Sequence, residues 1–183
     1  MLSIASLWLP ILVSAVAVFV VSSIVWMVLP WHRKDYQPVA NEEAARNALK
    51  GLARGQYHVP YCASMKDMKN PEIVRKMQEG PIATITIHPN GSPSMGRQMT
   101  LWFLFTIFAG ILVAYVSTRT LAPHTDYLAV FRIAGVTAWL AYGASGIQEG
   151  IWFGRPWRSV IFLQVDALIY ALLTAGIFGS MWP

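Results

Sequence analysis

The sequence predicts an all-α membrane protein: a four-transmembrane-helix bundle with a small α+β cytoplasmic loop insert between helices 1 and 2. Three observations predict it. Hydrophobic residues make up 55% of the chain and charged residues 13%, against about 25% charged residues in a soluble domain. The charges crowd into residues 31–98. Four long apolar runs fill most of the rest.

The runs are residues 6–30 (SLWLPILVSAVAVFVVSSIVWMVLP), 99–118 (MTLWFLFTIFAGILVAYVST), Tyr127 to Phe153, and Ser159 to Trp182. Each reaches the roughly 20 residues that cross about 30 Å of hydrocarbon at 1.5 Å per residue. Backbone groups in lipid must bond within their own segment, which makes these runs helices. None shows the alternation of a barrel strand. The first run reads as a retained helix and not a cleaved signal. No charge precedes Arg33, no small-x-small site precedes WHRKDY, and the run is too long for a signal core. The expected division is residues 1–30 as helix 1, 31–98 as the insert, and 99–183 as helices 2–4.

Charge sets the expected orientation. Ten of the 14 Lys and Arg lie between Arg33 and Arg97. Arg33, Lys34 and Arg97 abut helix ends, where the positive-inside rule is strongest. Arg155 and Arg158 fall on the same side, and only Arg119 marks the opposite one. Both termini are therefore expected outside and residues 31–98 inside. The basic loop does not argue for nucleic acid, because six acids are interspersed in it. The single cysteine, Cys62, lies in that loop, as suits a reducing compartment.

The insert carries its own punctuation. Asn41 with Glu42 and Glu43 reads as an N-cap and first turn. Ala45, Ala48, Leu49 and Leu52 form one face, and Gly55 is expected to end that helix. Residues 56–62 alternate like an edge strand interrupted by Pro60. Asn70-Pro71 opens a second helix and Gly80-Pro81 closes it. Residues 82–88 alternate again, before a turn at Pro89-Asn90-Gly91. A two-stranded ribbon with two short helices results. Its core is thin, so it is expected to lean on the membrane surface or on a partner.

Helix 4 carries Ala167, Ala171, Ala175 and Gly179 at i+4 spacing, a ridge that admits a close neighbour. Helix 3 carries Ala134, Ala138, Ala141 and Ser145. A tight hairpin at Gly154-Arg155-Pro156 sets Ser145 near Val165 and Ala141 near Ile169, so the two ridges are expected to meet. Trp8, Trp26, Trp31, Trp102, Trp152, Trp157 and Trp182 fall near the boundaries, as an interfacial aromatic belt does.

Asp166 is the most informative side chain, because intramembrane acids are costly and often functional. Tyr170 and Thr174 continue its face. Glu149, Arg155 and Arg158 lie near the same end. The expected candidate site is therefore Asp166, Glu149, Arg155, Arg158 and Tyr170, with an Asp–Arg lock favoured over a proton or ion relay. Arg132 is expected to snorkel outward or to pair with Asp126. His58 and Cys62, four residues apart, would stand about 13 Å apart on a strand, too far to share an ion. His32, His58, His88 and His124 fall at helix ends or in loops, which argues against a bis-histidine haem. There is no CxxCH, GxGxxG, P-loop, HExxH or GxSxG motif. No catalytic residue, cofactor or metal is expected.

Two stretches, HRKDYQPV after the first run and GRPWRSVIFLQVDALIYALLTAGIFGSMWP at the end, resemble a group of small bacterial membrane proteins with no assigned activity. The resemblance implies an inner-membrane location and transfers no catalytic residue. The functional expectation is a non-enzymatic accessory or scaffold protein, a subunit of a larger inner-membrane complex of which a respiratory or redox complex is a special case, contacting lipid and a membrane-protein partner or itself. The alternative is a small oligomeric transporter or an ion or proton channel using Asp166.

Overall fold

The computed structural model describes residues 2–183. The chain is mostly helical and its described residues separate into two compact units, residues 2–36 with 93–183, and residues 37–92.

The first unit holds the four long helices α1 (Trp8–Met27), α4 (Met95–Thr120), α5 (Tyr127–Phe153) and α6 (Trp157–Ser180). All four are long and apolar enough to cross a membrane. A 3-10 turn over Ile4–Leu7 leads into α1 and a second, over Trp31–Lys34, follows it. Helix α4 starts earlier than the apolar run alone suggests. Ser94 caps it by accepting from the Arg97 amide at 3.4 Å, so the polar residues before Met99 become its first turn. Asp126 caps α5 through the amides of Leu128 and Ala129. That use of its carboxylate accounts for the missing Asp126–Arg132 pair, and Arg132 is exposed.

Residues 31–36 belong with the helices and not with the insert. The 3-10 turn folds back against α6, which it meets through His32 and Asp35.

The core is built from small side chains. Val113 and Ala114 of α4, Val130, Ala134 and Ala138 of α5, Ala171 and Phe178 of α6, and Leu7 and Ile11 pack together. Large apolar side chains such as Val20, Ile24, Phe108, Leu140 and Leu172 stay exposed on the outer faces, as they do where the surroundings are apolar.

Helices α5 and α6 form an antiparallel hairpin about Gly154, whose φ of 68° closes α5. The Gly154 and Arg155 amides both return to the Glu149 carbonyl, the second at 3.2 Å. The hairpin has the expected register, but its closest contacts are made by glycines. A Cβ added at Gly143 would stand 2.7 Å from the Ala167 Cβ, and one at Gly135 3.3 Å from the Ala175 Cβ. One at Gly179 would meet the Tyr127 ring at 2.7 Å. Ala134 and Ala138 are buried in the common core, whereas Ser145 is exposed. The α5 ridge of Ala134, Ala138, Ala141 and Ser145 is thus not the α6-facing seam. The tighter approach selects the positions with no Cβ.

The second unit contains α2 (Glu42–Leu49), β1 (Gly55–Val59), α3 (Pro71–Glu79) and β2 (Ala83–Ile87). The strands pair antiparallel, with Gly55 opposite Ile87 and Val59 opposite Ala83. Asn41 and Asn70 cap the two helices. Gly55 opens β1 and does not end α2. Gly51, with φ 92°, lies in the left-handed region just after α2.

Gly143→Val should lower the thermal unfolding midpoint in mild detergent, by an overpacking cost of about 1–3 kcal/mol. Ser145→Val, on an exposed face two residues away, should leave the midpoint unchanged. Scanning fluorimetry of the two variants measures the contrast.

Candidate functional site

The site forms where the turn after α1 meets the first half of α6. In Trp31–Lys34 the single 3-10 turn brings His32 and Asp35, three residues apart, onto one side. Asp35 Oδ2 lies 2.7 Å from His32 Nδ1. The other ring nitrogen, Nε2, lies 2.8 Å from Asp166 Oδ2. One imidazole therefore joins two carboxylates. The His32, Asp35 and Asp166 side chains are only 3–4% exposed.

The walls fix the ring. The Trp26 indole stacks on His32 at 4.0 Å between centroids, with planes 2° apart. Trp31 and Phe162 present their rings near-perpendicular to it at 6.3 and 6.4 Å. At the outer end, Asp35 Oδ1 accepts from Ser159 Oγ at 2.9 Å and from Arg158 Nη1 at 3.2 Å. Arg158 also donates to the Trp31 carbonyl at 3.0 Å and lies over the Phe162 ring.

The expected direct lock between Asp166 and an arginine is not made. Arg155 pairs with Glu149 at 3.3 Å and Arg158 with Asp35. Arg158 precedes Asp166 on α6 by eight residues, about 12 Å along the axis, and His32 fills that interval. The arginine acts on Asp166 through Asp35 and His32. Sequence reasoning missed both of these residues, although HxxD just past a helix end, together with an intramembrane acid lacking a partner, was the available signal. Tyr170, one turn beyond Asp166, is buried.

Each short contact to the imidazole needs one hydrogen. Two protons are therefore shared along Asp35–His32–Asp166, and they can be placed in two ways. Either an imidazolium stands between two carboxylates, or a neutral imidazole stands beside one carboxylic acid. The total charge is the same in both, so passing between them only moves a proton along the chain.

Two cavities bracket this chain of groups. One, of about 240 Å³, is lined by Asp35, Tyr36, Glu149, Arg155, Pro156 and Ser159. The other, of about 410 Å³, lies between α1, α4 and α6, and its lining includes Trp26, Met99, Trp102, Tyr142, Asp166 and Tyr170. On that side Asp166 Oδ1 and the Tyr170 hydroxyl are buried without a hydrogen-bond partner. The Trp26 indole lies beside both as the neighbouring hydrogen-bond donor. Trp102 is held in place by its Nε1, which donates to Ser22 Oγ at 2.8 Å.

Among the described residues no group of three or more His, Cys, Asp or Glu could hold a metal ion. In the second unit, the His58 ring contacts the Pro60 carbonyl at 3.2 Å.

Burial pushes the Asp35 carboxyl up. The hydrogen bonds from His32 and Ser159 and the nearby charges of His32 and Arg158 outweigh burial and hold it below its ordinary value of 3.8. A carboxyl depressed by folding stabilises the fold fully above its ordinary value. That stabilisation is lost as pH falls through the lower, folded value. The unfolding midpoint should accordingly drop on acidification below about 4. Asp35→Asn should lower stability at pH 7 and flatten that acid limb, as read by near-ultraviolet circular dichroism.

Comparison with protein-family models, with curated proteins and with solved structures finds no match to this chain, so the chemistry of the site rests on its own residues.

Proposed function

We propose that this chain is a non-enzymatic, multi-pass protein of the bacterial inner membrane that passes protons between its two cavities through Asp166, His32 and Asp35. The single observation that carries this reading is the buried imidazole bonded at both nitrogens to carboxylates that each line a different cavity. A proton on Asp166 moves to Nε2 while the Nδ1 proton moves to Asp35. Arg158 and Ser159 hold Asp35 in its charged form, so the proton passes on to the smaller cavity and does not rest there. The basic residues flanking the helices support placing both cavities in the cytoplasmic half, the larger one because Met27, Met95 and Gln98 at the insert-facing helix ends line it, with both termini outside.

The accessory or scaffold reading makes a different prediction for the same residues. There the imidazole is only a clamp that neutralises Asp166 and seats the turn on α6. Reconstituted liposomes under a potassium diffusion potential, with a pH dye inside, separate the two. The relay predicts proton entry above that of empty liposomes, reduced at least tenfold by His32→Gln and by Asp166→Asn. Undiminished entry in a folded His32→Gln variant would remove the relay and leave the clamp.

A further inference from the structure

The larger cavity has the chemistry of a cation site. Its aromatic wall is a cluster: the ring centroids of Trp102 and Tyr142 lie 6.3 Å apart, those of Trp102 and Tyr170 6.3 Å, and those of Tyr142 and Tyr170 5.6 Å. Aromatic rings attract cations over their faces. Beside them Asp166, with a side chain only 3% exposed, has an oxygen, Oδ1, left without a well-formed hydrogen bond although the Trp26 indole lies alongside. An ionised carboxylate only accepts hydrogen bonds or charge, so this oxygen calls for a donor or a positive charge. Among the described residues the lining holds no Lys, Arg or His to receive an anion. The volume, about 410 Å³, is that of a small-molecule site.

The charge count adds a condition. Arg158 carries one positive charge. Asp35, His32 and Asp166, with their two shared protons, carry one net negative charge. The other groups facing Asp166 are uncharged side chains: Ser22 and Trp26 of α1, Gln98 and Trp102 of α4, and the phenols of Tyr142 on α5 and Tyr170 on α6. The site is therefore neutral when empty. A monovalent cation entering beside Asp166 would leave one positive charge in excess over the four groups, screened by water in part at Arg158, whose side chain is 44% exposed. Loss of one shared proton restores neutrality.

We propose that this cavity binds a hydrophobic organic ammonium cation against Asp166 Oδ1 and the Trp102–Tyr142–Tyr170 cluster, in exchange for one proton. The proton leaves Asp166 for His32 Nε2, the Nδ1 proton passes to Asp35, and Asp35 gives one proton to water in the smaller cavity. This inference rests on the proton-relay reading, since it uses the same three groups to carry the proton away.

The test titrates the full chain in mild detergent with benzyltrimethylammonium and, separately, with its uncharged isostere neopentylbenzene, each against protein-free micelles. Binding is read from tryptophan fluorescence. Protons are counted by calorimetry in buffers of different ionisation enthalpy. The expected result is saturable binding of the cation that tightens as pH rises, about one proton released per cation bound, and at least tenfold weaker binding of the isostere. Asp166→Asn should weaken cation binding at least tenfold and abolish proton release. Equal affinity for the isostere would overturn the proposal in favour of a neutral apolar ligand, and that comparison needs no variant to fold. Cation binding without proton release would overturn it as well. Either failure leaves the liposome proton flux untouched, whereas loss of that flux with cation exchange intact would strike the conduction reading alone.

Discussion

The structure turns on one bridge, the His32 imidazole between Asp35 and Asp166. A carboxylate ten residues into an apolar helix cannot stand alone at tolerable cost. Its compensation comes from outside the helices, from a turn that would otherwise be a connector. That choice joins the segment after α1 to α6 at two heights. Asp166 is held through one ring nitrogen, and the first turn of α6 is held through Asp35, Ser159 and Arg158. The Trp26 stack and the edges of Trp31 and Phe162 then keep the ring from turning away.

The rest of the bundle supplies a rigid frame around this bridge. The α5–α6 hairpin closes on glycines, and the Gln164 amide donates to the Gly143 carbonyl at 2.8 Å. On the opposite side α1 and α4 are tied by Trp102 to Ser22 and by Thr106 to the Ala15 carbonyl. Between these two pairs the larger cavity stays open, although the bundle elsewhere packs small residues closely. The buried atoms left without partners on its wall, Asp166 Oδ1 and the Tyr170 hydroxyl, contrast with the satisfied groups a few ångströms away. Most buried polar groups are satisfied; Asp166 Oδ1 and the Tyr170 hydroxyl are two neighbouring exceptions on the wall of one cavity, beside Trp31 Nε1, Ser117 Oγ and Gln164 Oε1 elsewhere among the described residues.

Much of the fold was legible because its signals are local. Twenty-residue apolar runs, the caps at Asn41 and Asn70, the strand alternation at residues 82–88 and the turn at Gly154 each depend on neighbours in sequence. The hairpin register followed from the shortness of that turn. The candidate site was legible only by half. Asp166 and Tyr170 stood out by their chemistry, whereas the partner of Asp166 did not. His32 lies outside the apolar run, among basic residues typical of an interface, and its burial arises from a chain reversal that no periodicity encodes. The arginines nearest in sequence drew attention instead, and two helical turns of axial distance defeated that pairing. The seam between α5 and α6 was misassigned for a related reason. Alanine and glycine both count as small in a sequence, and only the distance between the backbones decides which of them touches.

That last distinction sets how the hairpin can change over time. A seam of alanines has slack in both directions, since a residue can be trimmed to glycine or enlarged by a methyl group. At Gly143 and Gly179 there is nothing left to remove, and a single added carbon already collides with Ala167 or Tyr127. Substitution there can move stability in one direction only. Relief must come from the far side, and at Gly143 the facing residue, Ala167, can itself give up only one methyl. The wall that carries Asp166 is thus the part of the bundle with the least room to drift.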